Sequence, residues 1–241
     1  MGLYRERGVV LRTLKLGEAD RIVTLVTEGH GKLRAVAKGV RRTKSRFGGR
    51  LEPLSHVALL AYEGRSLDTI TQAEALEAFR PVREDLGRLG RALSLLEVVD
   101  AVVQEGDDDP RLYQMLLGAL RTLAAGDAPL VVPAFFWKLL AQQGFRPSLD
   151  ACATCGTGGE VEALEAFDPG EGGALCRSCR RGTRITPEAL GLLRRILGGD
   201  LVGVLAEGAS PGGAELEHLA TRAIEHHLER RLRAPGLLDP A

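Results

Sequence analysis

The stretch GVVLRTLKLGEADRIVTLVTEGHGKLRAVAK, residues 8–38, contains three runs in which apolar and polar side chains alternate, with glycine-containing turns between them. A period of two is typical of β-strands that bury one face. Two similar runs follow, and a turn at Glu63-Gly64-Arg65 joins them. The predicted strands span residues 8–13, 22–27, 32–38, 56–62 and 67–72. Five short strands close most simply into a compact barrel.

After residue 79 the apolar side chains recur every three or four positions, which is the period of an amphipathic helix. The first helix is predicted to bury the stripe Leu86, Leu89, Leu93, Leu96 and Val103. Later helices are predicted over residues 111–124, 133–143 and 213–232, with another that begins at Thr186-Pro187.

Three consecutive carboxylates, Asp107, Asp108 and Asp109, precede Pro110 at the break between the first two helices. Carboxylates can hold Mg²⁺, but no second acidic motif supports such a site. A side-chain oxygen just before a proline that starts a helix is typical of an N-cap. The cluster is therefore interpreted as a capping turn.

These patterns together predict an α+β protein with several domains. The barrel domain is predicted to occupy residues 1–80. A helical domain is predicted over residues 81–149 and 185–241, with a glycine-rich, cysteine-containing module, residues 150–184, inserted between its two parts.

The four cysteines form two CxxC pairs, Cys152 with Cys155 and Cys176 with Cys179, and twenty residues separate the pairs. Each pair fits a tight turn that directs two thiolates at one point, and two such turns complete a tetrahedral Zn²⁺ site. Four thiolates leave no open position for water, so the metal is expected to stabilise the fold and not to catalyse a reaction. The alternatives are two disulfides, four buried thiols or a thioredoxin-like redox pair.

The chain carries 32 basic and 32 acidic side chains, so its formal net charge is zero. Residues 1–80 nevertheless hold 15 basic against 9 acidic side chains, a formal charge of +6, and the remainder carries −6. The positive field is thus concentrated at the amino end. No stretch approaches the run of about 18 apolar residues that a membrane-spanning helix needs, so a soluble, cytoplasmic protein is expected.

The positive charge is densest in KLRAVAKGVRRTKSRFGGR, residues 32–50, which contains eight basic side chains and no acidic one. The predicted phosphate-contacting residues are Lys32, Arg34, Lys38, Arg41, Arg42, Lys44, Arg46 and Arg50. Blocks of like charge often mark interaction segments, here for a nucleic acid, and a solvated loop is the alternative. Phe47, the one aromatic residue of the run, is predicted either to stack on a base or to anchor the loop to the barrel.

Signatures of catalytic sites are scarce. The sequence has no GxxxxGK[ST] phosphate loop and no HExxH zinc motif. His218, His226 and His227 fall on the last predicted helix at spacings that do not bring them together, so they are interpreted as surface or boundary residues. The protein is therefore predicted not to be an enzyme.

Several motifs, in this order along the chain, resemble those of the RecO family of bacterial recombination mediators. Gly8-Val9-Val10-Leu11 is similar to that family's GxVL, Gly17-Glu18-Ala19-Asp20 to GExD, Ile22-Val23-Thr24-Leu25 to IVTL, and Lys38-Gly39-Val40-Arg41 to KGxR. Residues 135–156, FFWKLLAQQGFRPSLDACATCG, resemble the family's helix that leads into the first CxxC. The resemblance spans nearly the whole chain, and some family members lack the cysteines.

The resemblance implies an amino-terminal OB-fold, a helical domain and an inserted zinc module that binds one structural Zn²⁺. It also implies a DNA repair and recombination mediator that binds single- and double-stranded DNA and anneals complementary strands without ATP. The basic residues of the run 32–50 would contact the DNA. The implied partners are RecR, the C-terminal tail of single-strand-binding protein and, indirectly, RecA, in the cytoplasm and at the nucleoid.

Other functions remain open from the sequence. A zinc-ribbon and OB transcription or RNA-binding factor would share the basic and metal features but bind selectively without annealing. A metal-dependent nuclease or ligase accessory would need acidic or histidine clusters, which are scarce. The zinc module is expected to brace the helical domain, and the alternative is that it also presents Arg177, Arg180, Arg181 and Arg184 to DNA or a partner.

Overall fold

The structure is a computed structural model that describes residues 2–107 and 109–233. These residues form two compact units. The first contains the described residues up to Ala125 together with Arg233, and the second is Gly126–Leu232. Within this part of the chain, no helix combines the length and the apolar character needed to cross a membrane. The four domain ranges expected from the sequence stay a prediction.

Five strands close into a barrel in the first unit. They are β1 (Leu3–Leu16), β2 (Asp20–Thr27), β3 (Lys32–Ala37), β4 (His56–Tyr62) and β5 (Asp68–Glu77). Their order around the barrel is β1-β2-β3-β5-β4, with β4 paired back to β1. All pairs are antiparallel except that of β3 with β5. The predicted five-stranded, OB-like barrel is confirmed, and β4 has its predicted bounds.

Strand β1 is longer than predicted, at 14 residues, because it pairs with β4 along its first part and with β2 along its second. A bulge between Val10 and Arg12 bends the strand near this change of partner. Gly8 belongs to both ladders, and a Cβ there would lie 2.9 Å from the carbonyl oxygen of Val26. The close approach of the strands at this point therefore requires glycine.

The barrel core follows the alternation of the strands. In β3, the side chains of Leu33, Ala35 and Ala37 are buried, as predicted, whereas Lys32 and Arg34 are only partly buried. The side chains between the buried ones point away from the core. One face of β3 thus builds the core and the other presents basic groups.

Three helices complete the first unit: α1 (Arg80–Arg83), α2 (Leu86–Val102) and α3 (Pro110–Ala125). The predicted apolar stripe of α2 is wrong in part, because Leu86 is 79% exposed. Helix α2 contacts the barrel as well as α1 and α3, so its buried surface is wider than one stripe. Its buried side chains include Ala92, Leu95, Leu96, Val98 and Val99.

The acidic residues before α3 supply its cap. The Oδ1 atom of Asp109 accepts a hydrogen bond of 2.9 Å from the backbone N–H of Leu112, and Pro110 is the first residue of the helix. This satisfies a backbone donor that the helix itself leaves unpaired. The capping interpretation is confirmed at Asp109, and Asp108 lies outside the described residues.

The second unit consists of four helices and a small sheet, and the strands of the sheet lie between the first and second of these helices along the chain. Its elements are α4 (Val131–Gln142), β6 (Leu164–Asp168), β7 (Gly173–Cys176), β8 (Thr183–Arg184), α5 (Pro187–Gly198), α6 (Leu201–Leu205) and α7 (Pro211–Leu228). The sheet has the order β7-β6-β8. Trp137 of α4 packs edge-on against Phe167 of β6, with ring centroids 5.2 Å apart. The predicted insertion of a cysteine-containing module between helices is confirmed.

Ser210 lies in Gly208-Ala209-Ser210-Pro211-Gly212, which matches the GxSxG pattern of serine hydrolases by its letters alone. In the structure its hydroxyl accepts a hydrogen bond from the N–H of Gly213 (3.1 Å) and donates one to Glu188 (2.7 Å). No histidine bonds to this serine within residues 2–107 and 109–233. Ser210 is therefore the N-cap of α7.

Candidate nucleic-acid interface and metal centre

The segment between β3 and β4, residues 38–55, is a succession of tight turns, named here the turn segment. Backbone hydrogen bonds close the turns, among them Ser45 N to Arg42 O (2.9 Å) and Arg50 N to Phe47 O (3.2 Å). The side chains of Phe47, Leu51 and Leu54 are at most 2% exposed. Phe47 belongs to the core of the barrel. It therefore anchors the segment, and the alternative prediction that it stacks on a base is wrong.

The turn segment is also bonded to the turn between β1 and β2. The backbone N–H of Arg41 donates to the carbonyl oxygen of Ala19 (2.9 Å), and that of Gly39 donates to Oδ1 of Asp20 (2.7 Å). The guanidinium of Arg41 donates to the carbonyl oxygen of Glu18 (2.9 Å). The KGxR and GExD motifs of the sequence therefore lie side by side.

Six basic side chains of the turn segment are exposed. None of them forms an ion pair with a carboxylate in the described part of the chain; Arg41 and Arg50 bond to backbone carbonyls, and Arg46 lies over the ring of Phe47 at 4.9 Å. We name these six the loop cations: Lys38, Arg41, Arg42, Lys44, Arg46 and Arg50. Without a carboxylate partner, their full charge is available to phosphates.

The other two predicted phosphate-contacting residues have acidic neighbours. The ammonium of Lys32 lies 3.4 Å from Oδ1 of Asp100, and the guanidinium of Arg34 lies 3.5 Å from Oε1 of Glu105. The Lys32 side chain is only 16% exposed. Both residues thus join β3 to the helical part of the first unit, and their contact with DNA stays a prediction.

Sequence reasoning missed Lys15, which is exposed near the end of β1. It pairs in register with Arg21, on the hairpin whose turn is bonded to Arg41. Lys15 therefore adds a further basic group to the hairpin beside the turn segment. Its place in the predicted first hairpin was the available signal, which lies outside the dense basic run 32–50.

The four cysteine sulfurs lie within 4.8 Å of one another. Those of Cys155 and Cys176 are 3.8 Å apart, which agrees with the edge of about 3.8 Å in a tetrahedron with metal–sulfur bonds of about 2.3 Å. All four cysteines are free, and no disulfide joins them in this structure. Turns at both CxxC pairs position them, through Gly156 N to Cys152 O (2.9 Å) and Cys179 N to Cys176 O (3.2 Å). The predicted clustering of the two pairs is confirmed.

The sulfurs and backbone N–H groups of the cluster influence the ionisation of its thiols. Backbone N–H groups, first that of Cys155 and then that of Cys176, lower the pKa of Cys152 to about 6. The sulfur of Cys155, followed by burial, raises the pKa of Cys179 to about 12. Four thiolates this close repel one another unless a positive ion compensates their charge. The cluster is therefore a site that can hold one metal ion.

Two family models match the chain. The one described as "Recombination protein O N terminal" matches residues 1–79, and the one described as "Recombination protein O C terminal" matches residues 83–235. The chain belongs to the RecO family. The RecO resemblance predicted from the short motifs is confirmed, and the matches cover the barrel, the helices from α2 onward and the cysteine cluster.

Curated RecO relatives are similar over their full length. A "DNA repair protein RecO" of Nocardioides sp. is 45% identical, over 98% of this chain and 99% of the relative. Proteins with the same description from Rubrobacter xylanophilus and Bifidobacterium longum are 43% and 42% identical, over 98% and 99% of this chain and 94% and 100% of the relatives. The chain is thus similar over nearly its whole length to family members described as DNA repair proteins.

Proposed function

We propose that this member of the RecO family mediates DNA repair by homologous recombination, binds single- and double-stranded DNA, and anneals complementary strands without ATP. Membership of the RecO family supports the repair role. The observation that carries the DNA-binding proposal is the set of six exposed loop cations without carboxylate partners among the described residues. All eight basic residues of the run 32–50 remain candidates for contact, and Lys15 joins them.

Annealing requires no covalent step, so the proposed role is not that of an enzyme. Two complementary strands repel each other through their phosphates, and a cationic surface lowers this repulsion while the bases find their register. Each phosphate contact releases counterions from the strand, and the affinity therefore falls as the salt concentration rises. The exposure of the loop-cation side chains supports such contacts.

The ion proposed for the cysteine cluster is Zn²⁺, held by Cys152, Cys155, Cys176 and Cys179. Soft thiolate ligands at tetrahedral spacing are the donor set that Zn²⁺ prefers. When bound, the ion cross-links the two CxxC turns and offers no open position for a reactive water. Its proposed role is structural.

RecR, the C-terminal tail of single-strand-binding protein and, indirectly, RecA are the proposed partners, in the cytoplasm and at the nucleoid. RecO membership is what supports these partners. In this role the protein would help to load RecA onto strands coated by single-strand-binding protein.

The test is the annealing rate of complementary oligonucleotides coated with single-strand-binding protein, measured without nucleotide. The intact, zinc-loaded chain is expected to accelerate annealing. The variant Arg41→Gln/Arg42→Gln/Lys44→Gln/Arg46→Gln is expected to lose most of that acceleration, because it removes four of the loop cations.

The matched control is Arg5→Gln/Arg65→Gln/Arg80→Gln/Arg111→Gln, which removes four exposed charges from the same unit outside the turn segment. It is expected to anneal at the rate of the intact chain. No acceleration by the intact chain would instead favour the alternative of a zinc-ribbon and OB transcription or RNA-binding factor.

A further inference from the structure

The second unit carries a groove of about 780 Å³ between β6, β8 and the second CxxC turn. Four exposed guanidinium groups line it, and we name it the arginine groove for these residues: Arg177, Arg180, Arg181 and Arg184. The proposed function of the loop cations does not use this groove. Its charge is opposite in sign to that of residues 81–241 as a whole, which carry −6.

The positive charge of the arginine groove is only partly neutralised. Glu165, the one carboxylate among the described lining residues, lies 3.7 Å from Arg180, and Arg181 pairs with Glu171 outside the lining. No ion pair joins Arg177 or Arg184 to a carboxylate in the described ranges.

The carboxylate of Glu162 is engaged elsewhere, because the hydroxyl and the backbone N–H of Ser178 both donate to it at 2.9 Å. The hydrogen bonds from Ser178 lower the pKa of Glu162 more than the charge of Arg177 does. The groove therefore keeps an excess of positive charge.

The lining favours a phosphate backbone over an acidic peptide. The apolar side chains of Leu164 and Ile185 are 7% and 2% exposed, so they offer little surface to the side chains of a peptide. No aromatic residue is among the described lining residues. Guanidinium groups bind phosphates through paired hydrogen bonds and keep their charge at every physiological pH.

We propose that the arginine groove binds the phosphate backbone of a second DNA strand, while the loop cations hold the first. This inference rests on the proposed function, because it places both strands of the proposed annealing reaction on one chain. The first strand is bound by the barrel unit and the second by the unit that contains the cysteine cluster. Each surface carries its own exposed cations.

The test is a stoichiometric titration of the full, zinc-loaded chain with a short oligonucleotide that cannot pair with itself, followed by fluorescence anisotropy. The intact chain is expected to bind two strands per chain. The variant Arg177→Gln/Arg184→Gln is expected to bind one, with unchanged affinity for it. Two strands bound by this variant, or one strand bound by the intact chain, would overturn the proposal.

The matched control is Arg230→Gln/Arg231→Gln, which removes two exposed charges from the same unit just after α7. It is expected to bind two strands. Zinc content and melting temperature are measured for both variants, because Arg177 follows the cysteine at position 176. Only variants that keep their zinc are compared.

A second variant tests the groove by a gain of affinity. Glu165→Gln removes the carboxylate beside Arg180, and the second strand is expected to bind about two to five times more tightly. Damage to the fold cannot produce tighter binding, so this result separates a role in binding from a role in stability. Unchanged or weaker binding of the second strand would count against the groove.

Two further outcomes are informative. Poly-glutamate that competes for the groove more strongly than the oligonucleotide does would make it a peptide site and overturn the inference.

The variant that lacks Arg41, Arg42, Lys44 and Arg46 is expected to bind one strand, at the groove. If that variant still binds two strands and anneals normally, the proposed role of the loop cations is wrong. The proposal for the arginine groove is tested separately, by Arg177→Gln/Arg184→Gln and Glu165→Gln.

Discussion

At the scale of the residue, His56 is a buried imidazole at which the barrel meets α3. Its Nδ1 atom lies 3.0 Å from Oε1 of Glu77, and its Nε2 atom lies 2.8 Å from the hydroxyl of Tyr113. A carboxylate only accepts, so the proton of the neutral ring lies on Nδ1, and Nε2 accepts from the tyrosine hydroxyl. Burial lowers the pKa of His56, and this outweighs the opposite effect of Glu77.

The lowered pKa of His56 predicts a loss of stability in mild acid. Below about pH 6.5 the histidine of the unfolded chain binds a proton that His56 of the folded chain does not bind. The free energy of unfolding therefore decreases as the pH is lowered. Above that pH the contribution is fully present. Urea denaturation from about pH 8 to about pH 5 measures the effect, and His56→Gln, which cannot titrate, is expected to flatten the profile. An equally steep profile for His56→Gln would contradict this assignment.

The local sequence pattern identifies charged residues, but it does not identify their partners in the fold. Lys32 and Arg34 interact with residues 68 and 71 positions further along the chain, and these contacts exist only after the helices pack on the barrel. Phe47 was ambiguous for the same reason, since an aromatic ring in a basic run is compatible with stacking or with anchoring. Asp109 was predictable because an N-cap depends on the next three residues alone.

At the scale of the element, the sheet of the second unit is small. Its strands β6, β7 and β8 have five, four and two residues. Sheets of this size need additional contacts to be stable. Strand β7 ends at Cys176, so a metal bound there ties the sheet directly to both CxxC turns.

Removal of one metal ligand is therefore expected to destabilise the second unit. Cys176→Ser is expected to lose bound zinc and a large part of the stabilisation, which is about 10–16 kcal/mol in zinc-finger peptides. Zinc content and the melting temperature followed by circular dichroism measure this. Binding of one DNA strand by the loop cations is expected to persist at low temperature.

The control for this prediction is Ser178→Ala, which alters the same turn without removing a ligand. It is expected to keep its zinc and to melt close to the intact chain. A Cys176→Ser protein with full zinc content and an unchanged melting temperature would show that the cluster is not the metal site.

Elements with a local start signal were predicted well. Helix α5 begins after Thr186, whose hydroxyl accepts from the N–H of Ala189 at 3.3 Å, and Pro187 is its first residue, as the sequence indicated. The buried face of α2 was predicted less well, because it depends on packing against the barrel and two helices, which periodicity alone does not encode. The extra length of β1 likewise comes from pairing with two partners.

At the scale of the whole molecule, a net charge of zero conceals a positive amino-terminal part and a negative remainder. The proposed binding to DNA therefore depends on where the charges lie and not on their sum. If about five cations contact phosphates, the logarithm of the affinity for single-stranded DNA is expected to fall with the logarithm of salt concentration with a slope of about −3 to −4.

In the Arg177→Gln/Arg184→Gln background, where only the strand at the loop cations is expected to bind, replacement of Arg41, Arg42, Lys44 and Arg46 by Gln is expected to reduce the magnitude of that slope by about 3. Fluorescence anisotropy over a range of salt concentrations measures both slopes. A slope near zero for the intact chain would refute the assignment of phosphate contact to these residues.

The buried anchors of the turn segment have a consequence for the entropy of DNA binding. A free loop with the same charges would lose about 1–2 kcal/mol of backbone conformational entropy for each residue that binding ordered. Here Phe47, Leu51 and Leu54 fix the backbone when the chain folds, so this loss precedes the encounter with DNA. A strand bound as proposed would therefore meet the loop cations as a preorganised array, in which the spacing of the backbone positions is set by the core of the barrel.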